Sequence, residues 1–271
     1  LHDALPICPA LFQSDRIALG GEAGQAFVLV HGAWHGGWCW RDVAARLRAR
    51  GALVHTPTLT GLGAKKHLRA AYQGLQTFIA DVAAVIETEE LQDVVLVGHS
   101  FGGMVITGVA DRMPDRIKRL VYLDAFAPSD GQSVATCAPG ASAEATDRLR
   151  RALESQTKDG EWIAPPPAEL VGLHLATPEL REWDLRNMTE QPLSSFVEPL
   201  PLANGRPQIP STYIVCDSPP MPGTPFVAHH REVVAGAYGP QWTARRIETG
   251  HMAMITALDE TVALLAEAAS G

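Results

Sequence analysis

Hydrophobic residues along this chain fall into two patterns. Some form short apolar runs: Ala26-Phe27-Val28-Leu29-Val30, Val94-Val95-Leu96-Val97, Ile117 to Leu123 and Thr212 to Cys216. Runs of this length belong to strands covered on both faces, because a strand with one wet face alternates instead. Ala52 to Leu59 and Thr243 to Ile247 give further strand signals. Elsewhere the apolar positions recur every three or four residues, as on one side of a helix. Arg41 to Arg50 places Val43, Ala44 and Leu47 together, and Gly51 ends it. Phe78 to Glu87 does the same with Ile79, Val82, Val85 and Ile86, and Met104 to Arg112 runs up to Pro114. A last helix carries Val262, Leu264, Leu265 and Ala266. Strands alternating with helices predict an α/β fold with a mostly parallel, doubly wound sheet.

The alternation stops between about Pro128 and Asn204. That interval has few strand-like runs, the triplet Pro165-Pro166-Pro167, and bulky aromatics at Trp162, Trp183 and Phe196. It is expected to be an inserted, largely helical cap over residues 128–204, with the core formed by 25–127 and 205–271. Residues 1–24 lack the basic start and sustained apolar stretch of a signal peptide. They read as an irregular or non-native leader.

Composition narrows the function classes. The chain has 271 residues, 46% of them hydrophobic, which suffices for one large core. A net charge of −8 without a basic cluster argues against nucleic-acid partners. No apolar run approaches the roughly 20 residues needed to span a bilayer, so no membrane partner is expected. Cys8, Cys39, Cys137 and Cys216 lack paired or metal-ligand spacing and read as buried thiols. Cytoplasmic location is the default.

Candidate chemistry centres on Ser100. The run Val94 to Val97 leads into Gly98-His99-Ser100-Phe101-Gly102-Gly103, with a helix signal directly after it. Strand, sharp Gly-x-Ser-x-Gly turn and helix, in that order, form a nucleophile elbow. The turn strains the serine, and Gly98 and Gly102 let neighbouring backbone come close. The bland alternative is a serine capping an ordinary helix. Acyl transfer by serine also needs a base, a carboxylate to orient it, and backbone donors for the oxyanion. Gly250-His251-Met252 follows the last strand signal, which brings His251 to the sheet edge of Ser100 as the expected base. The oxyanion donors would be the amides of Phe101 and of Ala33, within the glycine-rich loop His31 to Trp38. That loop lacks the spacing and the lysine of a phosphate cradle. His99 reads as packing, His31 and His35 as loop-structural, and His229-His230 as part of a surface helix. No set of histidines has zinc spacing, so neither metal nor cofactor is expected.

Phe27 to Trp38, Gly98 to Gly103 and Gly250-His251-Met252-Ala253-Met254 together resemble the α/β-hydrolase superfamily. The similarity is to the branch of plant methyl-ester esterases, hydroxynitrile lyases and bacterial carboxylesterases, pyrethroid-hydrolysing ones included. It covers the chain from about Ala26 onward, the cap only loosely. The resemblance implies an α/β-hydrolase fold and a Ser…Asp…His triad. In the plant esterases the acid falls three residues after the cysteine matching Cys216, where this chain has Pro219. Two acids stay in play: Asp124 at the end of the strand after the elbow, which is favoured, and Asp217.

The lyases of this branch carry a threonine after the first-strand histidine and a lysine after the catalytic one. Gly32 and Met252 stand there instead, which favours ester hydrolysis through an acyl-enzyme. A lactonase, a hydroxynitrile-lyase-like enzyme and a low-turnover ligand receptor are the alternatives. Trp34, Trp162, Trp183, Leu193, Phe196 and Met221 are the candidate lining of an apolar pocket for small to medium apolar or aromatic esters. The partner is then a small-molecule ester, with a homodimer as an open alternative.

Overall fold

The computed structural model describes residues 24–271 apart from 141, 158, 159, 173 and 176. The leader expected at residues 1–24 therefore lies, except for Gly24, outside the described residues.

Six strands form one parallel sheet: β1 (Ala26–Val30), β2 (Leu53–His55), β3 (Val94–His99), β4 (Ile117–Leu123), and two later strands, Ser211–Cys216 and Trp242–Ile247. The order across the sheet places β2 at one edge, then β1, β3 and β4, then the two late strands. Every pairing is parallel, so each crossover passes through helix. The central strands are buried along their length, as their unbroken apolar runs require.

The flanking helices are α1 (Arg41–Ala49), α2 (Leu75–Thr88) and α3 (Gly102–Arg112). One face of the sheet is covered by α2 and α3, through Phe78, Ile79, Val82, Met104 and Val109. The other is covered by α1 and the C-terminal helix Leu258–Ser270, through Val43, Leu47, Val262 and Leu265. The strand expected over Ala52 to Leu59 is cut to three residues, because Pro57 cannot donate to a ladder.

Between β4 and Ser211 the chain leaves the sheet. This cap contains α4 (Ala143–Glu154), β5 (Trp162–Ile163), α5 (Ala168–Gly172), α6 (Pro178–Asn187), β6 (Gln191–Pro192) and α7 (Ser194–Val197). β5 and β6 pair antiparallel apart from the main sheet. We number the two late sheet strands β7 (Ser211–Cys216) and β8 (Trp242–Ile247), with α8 (Phe226–Val234) between them. The chain closes with α9 (Ala253–Thr256) and α10 (Leu258–Ser270).

The surface-helix reading of His229 is corrected. α8 lies where it was expected, but His229 is buried, with Nε2 3.5 Å from the Cys137 sulfur. The helix turns that residue toward the sheet, where its ring also packs near Tyr213. Among the described residues no helix is long and apolar enough to cross a membrane.

Candidate active site

The site is built on the carboxyl ends of β3, β4 and β8. Ser100 follows β3 with φ at 53°, a left-handed conformation that costs a non-glycine residue about 1–3 kcal/mol. Three hydrogen bonds hold it there: its N–H donates to Leu123 O (3.2 Å), and its carbonyl accepts from Gly103 N (3.1 Å) and Phe126 N (3.1 Å). A Cβ on Gly98 would stand 2.7 Å from Gly102 O, so the turn closes only with glycine at that point.

The same bonds bring Asp124 beside the elbow. Asp124 follows β4 with φ at 44°, and its N–H donates to Ile214 O (2.7 Å) on the neighbouring strand. Its carboxylate is fully buried. Oδ1 accepts from Cys216 N (3.1 Å), and Oδ2 accepts from His251 Nδ1–H (2.6 Å). Asp217 points elsewhere, into an ion pair with Arg246 at 2.7 Å.

His251 sits in the loop between β8 and α9 and is fixed at both backbone ends. Its N–H donates to His174 Nδ1 (3.1 Å) in the cap, and its carbonyl accepts from His99 Nε2 (2.9 Å). Its ring lies parallel to Phe226, with centroids 5.3 Å apart. Burial disfavours the imidazolium and pushes His251 down to about 3; His174 and His35 add to that push. The same burial pushes the Asp124 carboxyl up, while the Cys216 amide and the nearby His174 favour the carboxylate form that accepts from the ring. A neutral ring whose Nδ1 proton is committed to Asp124 leaves Nε2 bare as an acceptor.

Ser100 and His251 line one cavity of about 140 Å³, without a direct side-chain hydrogen bond between them among the described residues. Contacts of this type often tighten only once substrate is bound. Ala33 and Phe101 border the same cavity, and neither of their amides donates to another group among the described residues.

Of the expected lining residues, Trp34, Phe196 and Met221 do face this cavity. Three others do not. Trp162 is buried under Arg69, whose guanidinium stands 4.0 Å from the ring centroid, and beside Tyr72. Trp183 packs edge-on against Trp38 with centroids 4.9 Å apart. Leu193 borders a separate groove near Tyr72 and Val197. These side chains attach the cap to the core, a role composition does not separate from substrate contact.

Sequence reasoning passed over two cap residues at the cavity, His174 and Asp184. Asp184 is fully buried and accepts from His35 Nε2 at 3.2 Å. His35, expected only to shape its loop, thus also ties that loop to α6. Local pattern offers no signal for this, since Asp184 sits in a helix of ordinary polar composition. Although four histidines and Asp184 line the cavity, no three metal-binding side chains among the described residues converge with geometry to hold an ion.

Comparison with known proteins bears on this arrangement. Residues 27–264 match the alpha/beta hydrolase family. A carbendazim hydrolyzing esterase from Nocardioides sp. (strain SG-4G) is 42% identical over 244 residues, which is 89% of this chain and 98% of that protein. Methylesterase 10 of Arabidopsis thaliana is 27% identical over 263 residues, covering 90% and 91%. Among solved structures, an extracellular alpha/beta-hydrolase from a Paenibacillus species has a TM-score of 0.73 at 29% identity, covering 90% of this chain and 98% of that one. It is described as sharing structural and functional homology with tobacco salicylic acid binding protein 2. A pyrethroid hydrolase from Sphingobium faniae JZ-2 is alike in fold, with a TM-score of 0.71 at 23% identity and coverage of 91% and 98%.

Proposed function

The chain belongs to the alpha/beta hydrolase family, and on that premise we propose that it is a serine carboxylester hydrolase working through Ser100, His251 and Asp124. The observation that carries the reading is the buried 2.6 Å bond from His251 Nδ1 to Asp124, at a cavity that a strained Ser100 also lines.

In this reaction the Ser100 hydroxyl oxygen attacks the ester carbonyl while His251 Nε2 takes its proton. The negative charge that develops on the carbonyl oxygen is met by the amides of Ala33 and Phe101. The imidazolium, stabilised by Asp124, returns the proton to the departing alcohol and leaves an acyl-serine. Water then attacks that acyl group with His251 again as base, and the acid is released with Ser100 restored.

A cavity of about 140 Å³ is close to the size that holds one benzene ring. That supports small apolar or aromatic esters as substrates. The carbendazim hydrolyzing esterase, which covers nearly the whole chain, supports the same class. The cytoplasm is the compartment we propose, supported by the unpaired, buried thiols of Cys39, Cys137 and Cys216.

The test is a panel of p-nitrophenyl acetate, carbendazim and methyl aryl esters, assayed with wild type and Ser100→Ala. We expect an initial burst of p-nitrophenol from wild type and none from the variant. Equal turnover by the two proteins would discard Ser100 as nucleophile.

A further inference from the structure

His35 makes two contacts that constrain its protons. Nδ1 lies 2.7 Å from the Ala33 carbonyl, an oxygen that can only accept, so Nδ1 carries a hydrogen. Nε2 lies 3.2 Å from Asp184 Oδ1. Because Nδ1 is already a donor, this second contact is a hydrogen bond only if a further proton lies between ring and carboxylate. The pair thus shares one proton in a buried setting, and the bond fixes the carboxyl group of Asp184 in place.

The other oxygen, Asp184 Oδ2, has no partner among the described residues, although Asp184 is fully buried and lines the cavity that holds Ser100. His174 is complementary to it. Its Nδ1 accepts from His251 N–H, which leaves its hydrogen on Nε2, and Nε2 is likewise buried without a partner on the same cavity. Beyond the groups assigned to the reaction, the mostly apolar walls carry two buried acceptors without partners among the described residues, Asp184 Oδ2 and His99 Nδ1, and two such donors, His174 Nε2 and Trp34 Nε1. A buried carboxyl oxygen left unsatisfied carries the full cost of its desolvation. A ligand that presents an N–H to it recovers that cost; a ligand with a methylene there does not.

We propose that Asp184, held by His35, accepts an N–H of the substrate, so that the site selects esters carrying such a donor, N-aryl carbamates in the simplest form. This rests on the serine-hydrolase reading for its chemistry but not for its binding measurement. An N-aryl carbamate has one ring, an N–H next to the reacting carbonyl and a small alkoxy leaving group, which suits a cavity of one-ring size. Its carbonyl and alkoxy oxygens also offer acceptors to the His174 donor. Asp184 is here a specificity-determining residue and takes no part in bond-making.

The experiment compares methyl N-phenylcarbamate with methyl phenylacetate, in which a tetrahedral CH₂ takes the place of the planar N–H, and the Asp184 variants separate the hydrogen bond from that change of shape. Dissociation constants are measured calorimetrically on the Ser100→Ala protein, where turnover does not interfere. The carbamate should bind at least about tenfold more tightly, as in sites built around a required hydrogen bond. Adding Asp184→Leu should remove the difference between the two ligands. Adding Asp184→Asn should keep most of it, because the amide can donate to His35 Nε2 and leave its oxygen toward the cavity.

Equal affinities in the Ser100→Ala protein, or a Leu variant that weakens both ligands alike, would overturn the proposal. Should Asp184→Leu fail to fold, methyl N-methyl-N-phenylcarbamate against the Ser100→Ala protein decides instead, since it lacks the hydrogen; affinity equal to the N–H carbamate again overturns it. Failure of the hydrolase reading would be seen separately, as absence of p-nitrophenyl acetate turnover by wild type, and leaves these affinities readable.

Discussion

Ser100, Asp124 and Trp34 have φ values of 53°, 44° and 63°, and all three border or support the cavity. Side chains rarely adopt that conformation, so the surrounding hydrogen bonds hold strain where the chemistry needs it. At Asp124 those bonds leave both carboxylate oxygens occupied, one by Cys216 N and one by His251. Asn at this position would keep the shape but favour the wrong imidazole tautomer. Asp124→Asn should therefore lower kcat by about 10⁴-fold. Asp217→Asn should change kcat by less than about threefold, since Asp217 engages only a largely exposed Arg246 and such pairs contribute little. Steady-state kinetics on p-nitrophenyl acetate checks both, and a large loss at Asp217 with a small one at Asp124 would reverse the assignment.

At the scale of elements, the site depends on how closely α3 seats against the end of β4. A Cβ on Gly103 would lie 1.9 Å from Phe126 O, a backbone atom that cannot rotate away. Gly103→Ala should therefore force α3 outward and destabilise the protein by about 3 kcal/mol or more. It should also cut activity, because Gly103 N and Phe126 N both donate to the Ser100 carbonyl and so supply two of the three bonds that hold it. Urea unfolding read alongside turnover checks this; a variant as stable and active as wild type would show that the contact is slack. The elbow strand and its helix were legible because strand run, glycine turn and helix are all local. The cap was legible only as an interruption. Its prolines and aromatics marked an insertion, but which faces of α6 and β5 meet the core depends on contacts far along the chain. Trp162 and Trp183 thus turned out to anchor the cap, while Asp184 one residue further on reached the cavity.

For the whole molecule, buried histidines set the response to acid. Burial pushes both His31 and His229 down to about 3 from an ordinary value of 6.5. The unfolded chain binds their protons below pH 6.5 and the folded one does not, so the stability they contribute is complete above 6.5 and is lost as pH falls toward 3. At pH 5 each should cost about 2 kcal/mol relative to pH 7.5. The Asp124–His251 pair makes opposing contributions, whereas His99, pushed well down by its burial, adds to the loss in acid. Thermal melts at the two pH values should show a clearly lower Tm at pH 5, restored in part by His229→Gln; an unchanged Tm would contradict it. Sequence alone determined the doubly wound α/β core and singled out Ser100 and His251, because buried strands, elbow turns and a Gly-His after the last strand each have a short-range signature. It narrowed the acid to Asp124 or Asp217 and went no further. Only the tertiary structure decided which carboxylate meets the imidazole, which cap residues face the cavity, and that His35 is joined to Asp184. Those contacts link residues more than a hundred positions apart, and their geometry follows from sheet register and helix packing rather than from any neighbour in the chain.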